Sequence, residues 1–345
     1  MMLLHKLQAL DTRVPDLDSL KAHLQVAVEL EMTTLPPYLC ALYSIPDGTN
    51  VEAAGLIRSV MMEEMLHIIL AANVLNAIGG SPVLAKKGVA PEYPTVLPQS
   101  DGAFSISLQP FSRAAIADFM RVELPTPAGI QPKAEGYDTI GQFYEAIKDA
   151  LVRLHKAKKI RFDHHPERQV DPADYYNGHG KVIQVTDLES ALKAISEIMD
   201  QGEGTTKSIY VKGMSKDDLG YHLAHYYRFW EINAGRRFKA GDTTASGPTG
   251  NLLPVDWNAT ANMISNPQSG WFAPGDPRRD MMDSCNAMWK EMLRALEDGL
   301  NGKKDRLVRA VPFMLELKKR AKSLMNVPSG IAGTMLGPSF EWPGE

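Results

Sequence analysis

The stretch that decides the fold is Met61-Met62-Glu63-Glu64-Met65-Leu66-His67, which lies inside a long apolar segment. Apolar residues recur at steps of three and four from residue 57 to residue 78, which predicts a helix over about 50–78. Residues 49–52 have the Thr-x-x-Glu pattern of a capping box, and two glycines at 79 and 80 predict the helix end. Glu64 and His67 fall inside the apolar stripe. Glu63 lies about 100° from it and is predicted to face away from the core.

A carboxylate and an imidazole on a core-facing stripe are costly unless they are paired or bound to a cation. Glu-x-x-His places both side chains on one helix face, so Glu64 and His67 can reach one metal ion. Together with inward carboxylates from other helices, this is how two-metal sites are built in four-helix bundles. The alternative is that His67 hydrogen-bonds a core partner and Glu64 pairs with an arginine or lysine. The choice between these interpretations depends on whether other helices also direct carboxylates inward.

The composition is that of an ordinary globular chain. The 345 residues are 44% apolar and 23% charged. The formal net charge is -4 and there is no basic block, so we expect no nucleic-acid partner. Apolar runs are shorter than a transmembrane helix, and the N-terminal residues lack the apolar core of a signal peptide. We therefore expect no membrane partner and a cytoplasmic location.

The cysteine content limits the kinds of metal site. Cys40 and Cys285 are the two cysteines, which excludes a disulfide framework and a cysteine-based zinc or iron–sulfur site. A metal site would have to use glutamate, aspartate and histidine. Such ligands suit iron or manganese.

The first long helix is predicted from about residue 16 or 18 to residue 43. Its apolar stripe includes Glu31, whereas Glu29 falls on the solvent side. Pro36-Pro37 follows one turn later and removes two amide donors, so the helix either ends there or bends and continues. The helical pattern of residues 38–43 favours a bent, continuous helix. Thr33 and Thr34 would then help to satisfy the freed carbonyls.

Two further helices each carry a glutamate to be placed. A short helix is predicted to begin after Ser112, and Glu123 extends its apolar stripe by the same spacing. Glu123 is therefore a third inward carboxylate. In the next helix, over about 139–155, Glu145 points opposite to the apolar face and is predicted to lie on the surface.

The last helix of the predicted bundle, about 217–234, carries His222 and His225 on one face. Two-metal bundles usually offer Glu-x-x-His at this place, so the His-x-x-His pair departs from the pattern. His225 is the stronger ligand candidate. His222 is either a third imidazole ligand or a base that hydrogen-bonds behind the ligands. A site richer in nitrogen would be less negative and would fit one tightly and one loosely held metal ion.

Several stretches together resemble one known family: Glu29 to Ser44, Glu63 to His67, Ala71 to Gly80, Thr139 to Ile147, Gln201 to Gly204 and His225 to Phe229. In these stretches the chain is similar to the ferritin-like domain of the iminophenyl-pyruvate dimer synthase family, which includes the violacein-pathway synthase. The resemblance implies an all-α, ferritin-like four-helix bundle with a long crossover and little β structure. It also makes Glu203, between two glycines, a candidate ligand. The alternative for Glu203 is an exposed residue at an ordinary helix end.

The resemblance implies a ferritin-like oxidase or oxygenase of specialised metabolism. It would use O2 or peroxide on an amino-acid-derived imine, amine or aromatic substrate. Members of the family couple two imino acids oxidatively, but the long synthase carries further sequence that this chain is too short to contain. One alternative is an iron-handling or peroxide-consuming ferritin-like protein without an organic substrate. Another is a structural partner without metal ions.

The chain is expected to divide into a metal-binding bundle over 1–238, an irregular connection over 239–278 and a helical extension over 279–345 packed on the bundle. A homo-oligomer is compatible with this organisation. We predict two iron ions, with manganese as the alternative. The predicted ligands are Glu31, Glu64, His67, Glu123, Glu203, His222 and His225.

Overall fold

The computed structural model describes residues 2–98, 104–125, 136–175, 180–202, 209 and 223–343. These ranges contain helices and a single β-hairpin, in agreement with the predicted all-α fold with little β structure. The elements are α1 (Met2–Ala9), α2 (Leu17–Ser44), α3 (Val51–Ala77), β1 (Thr95–Leu97), β2 (Phe104–Ile106), α4 (Arg113–Val122), α5 (Ile140–Lys156), α6 (Leu188–Gln201), α7 (His225–Ala234), α8 (Pro277–Leu300) and α9 (Lys304–Leu324).

The centre of the fold is the pair α2–α3, which makes the most extensive helix contact in the described residues. A short connection joins the two helices, so they run antiparallel. Helices α6 and α7 pack on α3, and α5 packs on α2. Helix α5 also contacts α6, and α4 contacts α7, so several shorter helices complete the bundle around α2 and α3. The predicted ferritin-like four-helix bundle is confirmed.

The long crossover between α3 and α4 carries the hairpin. Strands β1 and β2 are antiparallel, with Thr95 opposite Ile106 and Leu97 opposite Phe104. Their outer residues are buried and their central residues face outward, as expected for a hairpin packed by one face. Strand β2 lies in the stretch Phe104-Ser-Ile-Ser-Leu108, in which apolar and polar residues alternate.

Helix α2 continues through Pro36-Pro37, as predicted. The carbonyl of Thr33, which loses a donor to proline, accepts a hydrogen bond of 2.6 Å from the hydroxyl of Tyr93 in the crossover. The hydroxyls of Thr33 and Thr34 donate instead to carbonyls three and four residues earlier. The prediction that these threonines satisfy the freed carbonyls is therefore wrong. A residue far away in the sequence supplies one of the missing donors.

Three helices begin with a side-chain cap, among them α4, whose start at Ser112 was predicted. The side chains of Ser112, Thr139 and Asp187 each accept a backbone N–H in the first turn of α4, α5 and α6. The capping box predicted for α3 is wrong. Asn50 is the residue before this helix and makes no capping bond, because its side chain exchanges two hydrogen bonds with the backbone of Asp256.

Helix α7 begins at His225 and not near residue 217, because Leu223 and Ala224 have non-helical conformations. Its first residue is therefore a candidate ligand. Helices α8 and α9 pack on each other and contact α3 and α2 respectively. Among the described residues, α3 is the one helix long and apolar enough to cross a bilayer. It lies buried inside the bundle, as a core helix does.

Candidate metal centre

Five of the seven predicted ligands meet in the core of the bundle. Glu31 comes from the middle of α2, Glu64 and His67 come from the middle of α3, Glu123 follows the last turn of α4, and His225 opens α7. Each is at most 5% exposed. Glu203 and His222 lie outside the described residues, so their predicted roles stay predictions.

The five side chains form two overlapping triads. Glu31, Glu64 and His67 offer ligand atoms that all lie within 4.8 Å of one another, and so do Glu64, Glu123 and His225. Glu64 belongs to both triads. This is the arrangement in which one carboxylate can bridge two metal ions.

Both imidazoles turn the same ring atom toward the carboxylates. Nδ1 of His67 lies 3.3 Å from Oε2 of Glu31, and Nδ1 of His225 lies 2.8 Å from Oε1 of Glu64. The opposite atoms, Nε2, are 3.0 Å from Oε1 of Gln201 and 2.9 Å from Oε2 of Glu63. Each Nε2–H can therefore donate to an oxygen behind the site, which leaves a lone pair on Nδ1 for a metal ion.

Each of the three carboxylates accepts a hydrogen bond from one buried hydroxyl. Tyr144 donates to Glu31 and Tyr38 donates to Glu123. Thr34 donates to Oε2 of Glu64 at 2.8 Å. These bonds fix the direction of the carboxylates, as the hydrogen bonds to metal-binding carboxylates do elsewhere. The sequence did not predict that any of these hydroxyls would hydrogen-bond a ligand. Tyr144 lies on the inward stripe of α5, one residue before the exposed Glu145, whose surface position is confirmed.

The cluster carries more acidic groups than it can ionise without a cation. Burial, followed by the charges of Glu123 and Glu31, raises the pKa of Glu64 to about 8. Burial also opposes ionisation of Glu31, but the neighbouring His67 outweighs it and lowers the pKa of Glu31. The pKa values of both histidines rise although burial opposes this, chiefly through Glu31 at His67 and through Glu123 at His225. Protons thus compensate the carboxylates, and a metal ion would displace them.

Two observations show that the residues fit metal ions. Nδ1 of His225 is buried and, despite the short distance to Glu64, has no aligned hydrogen bond. A buried polar atom without a partner calls for a missing ligand. The triads also border a cavity of about 30 Å³, lined by Glu31, Glu64, His67, Glu123 and Tyr144 among others. A water molecule needs ~10–15 Å³ on this measure, so the cavity holds groups of ionic or diatomic size.

The structure overturns the prediction that Glu63 faces away from the core. Glu63 is 2% exposed and pairs with the guanidinium of Arg228 at 2.9 Å, while it also accepts from His225. Burial alone would raise the pKa of Glu63, but the charge of Arg228 and the bonds from His225 lower it below the usual value. A signal was available in the sequence. Helix α3 is apolar almost all round, which indicates burial on every face.

Glu29 was misplaced for the same reason. It is 5% exposed and not solvated, because α2 is buried on all sides from Val26 to Ser44. Its carboxylate pairs with Lys6 of α1 and accepts a bond of 3.2 Å from Gln25. Glu29 is therefore a buried structural ion pair that is not a member of either metal triad.

The helical bundle and its buried carboxylate–histidine cluster define a class of protein, and the sequence comparison agrees. The ferritin-like family model matches residues 24–234, which is more than half of the chain, so this protein belongs to the ferritin-like family. The crystal structure of a ferritin-like protein from Caulobacter vibrioides superposes with a TM-score of 0.63, over 93% of this chain and 97% of that one, at 22% identity. At this identity the likeness supports the fold alone.

Two relatives are similar to this chain over almost its whole length. The chain is 28% identical to the 2-imino-3-(indol-3-yl)propanoate dimerase of Chromobacterium violaceum, over 96% of this chain and 34% of the relative. It is 24% identical to the dichlorochromopyrrolate synthase of Lentzea aerocolonigenes, over 92% of this chain and 35% of that protein. The predicted resemblance to the imine dimer synthase family is confirmed. The chain spans about a third of the length of these relatives, both of which are named as enzymes.

Proposed function

We propose that this protein is a metal-dependent oxidoreductase that holds two metal ions in the α2–α3 core. Glu31 and His67 would hold one ion, Glu123 and His225 would hold the other, and Glu64 would bridge them. The observation that carries the proposal is the shared orientation of the two imidazoles, since each directs Nδ1 at carboxylates and Nε2–H at an oxygen behind the site.

Iron is the first choice and manganese the second, because three carboxylates and two imidazoles are the donor set of non-haem iron sites. The ions would supply redox chemistry with O2 or peroxide. The protein would orient the ligands and keep bulk water out of the buried site. We further propose Glu203 as an additional ligand, because Gly202, directly before it, borders the cavity. We place the protein in the cytoplasm, in keeping with its two free, buried cysteines.

For the substrate we propose an amino-acid-derived imine with an aromatic side chain. The support is the relative from Chromobacterium violaceum, which is named as a dimerase of an indolyl imino acid. The cavity argues for the second candidate, an iron-handling or peroxide-consuming protein without an organic substrate. Its volume of about 30 Å³ admits O2 or peroxide but no indole ring. An organic substrate would have to react from the edge of the described cavity.

Metal analysis tests the site, and product analysis tests the function. Protein purified without O2 should bind close to two iron ions per chain. The double variant Glu64→Ala, His67→Ala should bind none and keep its helical content, whereas Glu145→Ala should bind as the wild type does. Unchanged iron stoichiometry in the double variant would refute the site.

The iron-loaded protein should then be mixed with 2-imino-3-(indol-3-yl)propanoate and O2, and the products followed by mass spectrometry. A dimer or an oxidised monomer that forms with wild type and not with the double variant supports the oxidoreductase. Consumption of O2 or peroxide with slow growth of an iron mineral, and an unchanged imine, supports the second candidate.

A further inference from the structure

A chain of two side chains stands behind each histidine of the site. Behind His225, Nε2–H donates to Glu63 at 2.9 Å, and Glu63 is held by Arg228 through contacts of 2.9 and 3.0 Å. Arg228 is in turn fixed by bonds to the carbonyl of Leu223 and to Oγ of Ser59. This chain is almost completely buried.

The chain behind His67 has the same geometry and a different chemistry. Nε2–H donates to Oε1 of Gln201 at 3.0 Å, and the amide nitrogen of Gln201 donates to Oε1 of Glu197 at 2.8 Å. The bond to Glu197 fixes which end of the amide faces the imidazole, since a carboxylate accepts and cannot donate. Gln201 is 2% exposed.

The two chains therefore differ in the charge of the atom that accepts the imidazole proton. His225 donates to a carboxylate that forms a buried ion pair with the guanidinium of Arg228, at 2.9 Å. His67 donates to a neutral amide. A carboxylate that accepts from Nε2–H makes the opposite nitrogen a stronger electron donor to a metal ion than a neutral acceptor does.

We propose that the two metal positions are inequivalent and fill in order. The position formed by Glu123 and His225 binds its ion first and more tightly, because Glu63 strengthens that imidazole. The position formed by Glu31 and His67 fills second. Glu63 and Arg228 are thus positioning residues that set the order of loading. The inference rests on the two-metal site proposed above and deepens it. Partners of metal-bound histidine change affinity by roughly 10–100-fold, so a gap of that size is expected between the two dissociation constants.

The test is a titration of the metal-free protein with Co²⁺ in the absence of O2. Bound cobalt is measured by equilibrium dialysis, and its visible absorption reports the surroundings of each ion. Wild type should bind one equivalent tightly and a second more weakly, with different spectra. Glu63→Gln keeps the shape and the acceptor oxygen and removes the charge. It should weaken the first dissociation constant about 10–100-fold, alter the spectrum of the first equivalent and leave the second dissociation constant within a few fold.

Two further variants guard against a general loss of stability. Glu29→Gln makes the same substitution in a buried, ion-paired glutamate outside both triads, and should leave both dissociation constants unchanged. The exchange Glu197→Gln with Gln201→Glu keeps the charge and the pair, and puts a carboxylate behind His67. It should tighten the second equivalent about 10–100-fold, because the positive charge of a metal ion on His67 favours the ionised form of the new carboxylate. If Glu63→Gln does not fold, this exchange variant tests the order of loading in its place.

The results distinguish a failure of the proposed two-metal site from a failure of the proposed order of loading. Wild type that binds no Co²⁺ overturns the proposed metal function itself. Two equal sites in wild type overturn the order of loading and leave the two-metal site standing. A folded Glu63→Gln variant with an unchanged first dissociation constant would also overturn the order of loading. An exchange variant with an unchanged second dissociation constant would do the same.

Discussion

Replacing Glu64 by glutamine should make the metal-free protein more stable while it abolishes metal binding. In the metal-free protein Glu64 shares a cavity with two other carboxylates, and its pKa is raised from 4.5 to about 8. The folded protein therefore holds a proton between these values that the unfolded chain releases. Stability falls as the pH rises through this interval, because the folded state binds more protons than the unfolded state does.

The size of the change in stability follows from the pH interval over which it is measured. Between pH 5.5 and pH 7.5 one proton is retained on folding, so the free energy of unfolding drops by ~1.4 kcal/mol per pH unit, or about 2–3 kcal/mol in total. Glutamine does not titrate and avoids this loss. This difference favours the variant at pH 7.5.

The assay is thermal unfolding of chelator-treated wild type and Glu64→Gln at pH 5.5 and pH 7.5. The advantage of the variant should grow by about 2–3 kcal/mol between the two values, which corresponds to several degrees in Tm. Groups that titrate in both proteins largely cancel in the difference. Fe²⁺ added without O2 should raise the Tm of wild type and leave that of the variant unchanged. A variant that is less stable than wild type at pH 7.5, or an advantage independent of pH, would refute the reasoning.

Further predictions concern groups around the site and away from it. Tyr144→Phe removes the hydroxyl that donates to Glu31 and should weaken metal binding roughly tenfold by equilibrium dialysis, with Glu145→Phe unchanged as the matched control; equal affinities of the two variants would contradict this role. His23 is buried and neutral, since burial lowers its pKa more than its bond to a backbone carbonyl raises it. The unfolded chain takes up a proton below about pH 6.5 that folded His23 resists, so stability should fall on acidification from pH 7 to pH 5. His23→Gln should show a shallower fall in chemical denaturation, and parallel curves would argue against it.

The periodicity of the sequence determined the helices and most of the inward ligands. Glu31, Glu64 and Glu123 lie in phase with apolar residues on α2, α3 and α4, and the structure brings them together. Local signals sufficed because a helix that buries one face records that face in its sequence. The resemblance to ferritin-like imine dimer synthases was readable for the same reason, since its motifs lie on these helices.

Only the tertiary structure determined which residues hydrogen-bond to the ligands and which acidic residues are buried in ion pairs. Helices α2 and α3 are enclosed on all sides, so helical phase could not tell a ligand face from a face buried against another helix. Glu29 and Glu63 were therefore predicted to face solvent and are buried ion pairs. The partners of the two histidines come from positions more than 130 residues away in the chain, on α6 for one and on α3 for the other. Such contacts depend on how the helices pack, and no local pattern of one helix encodes the neighbour that it will meet.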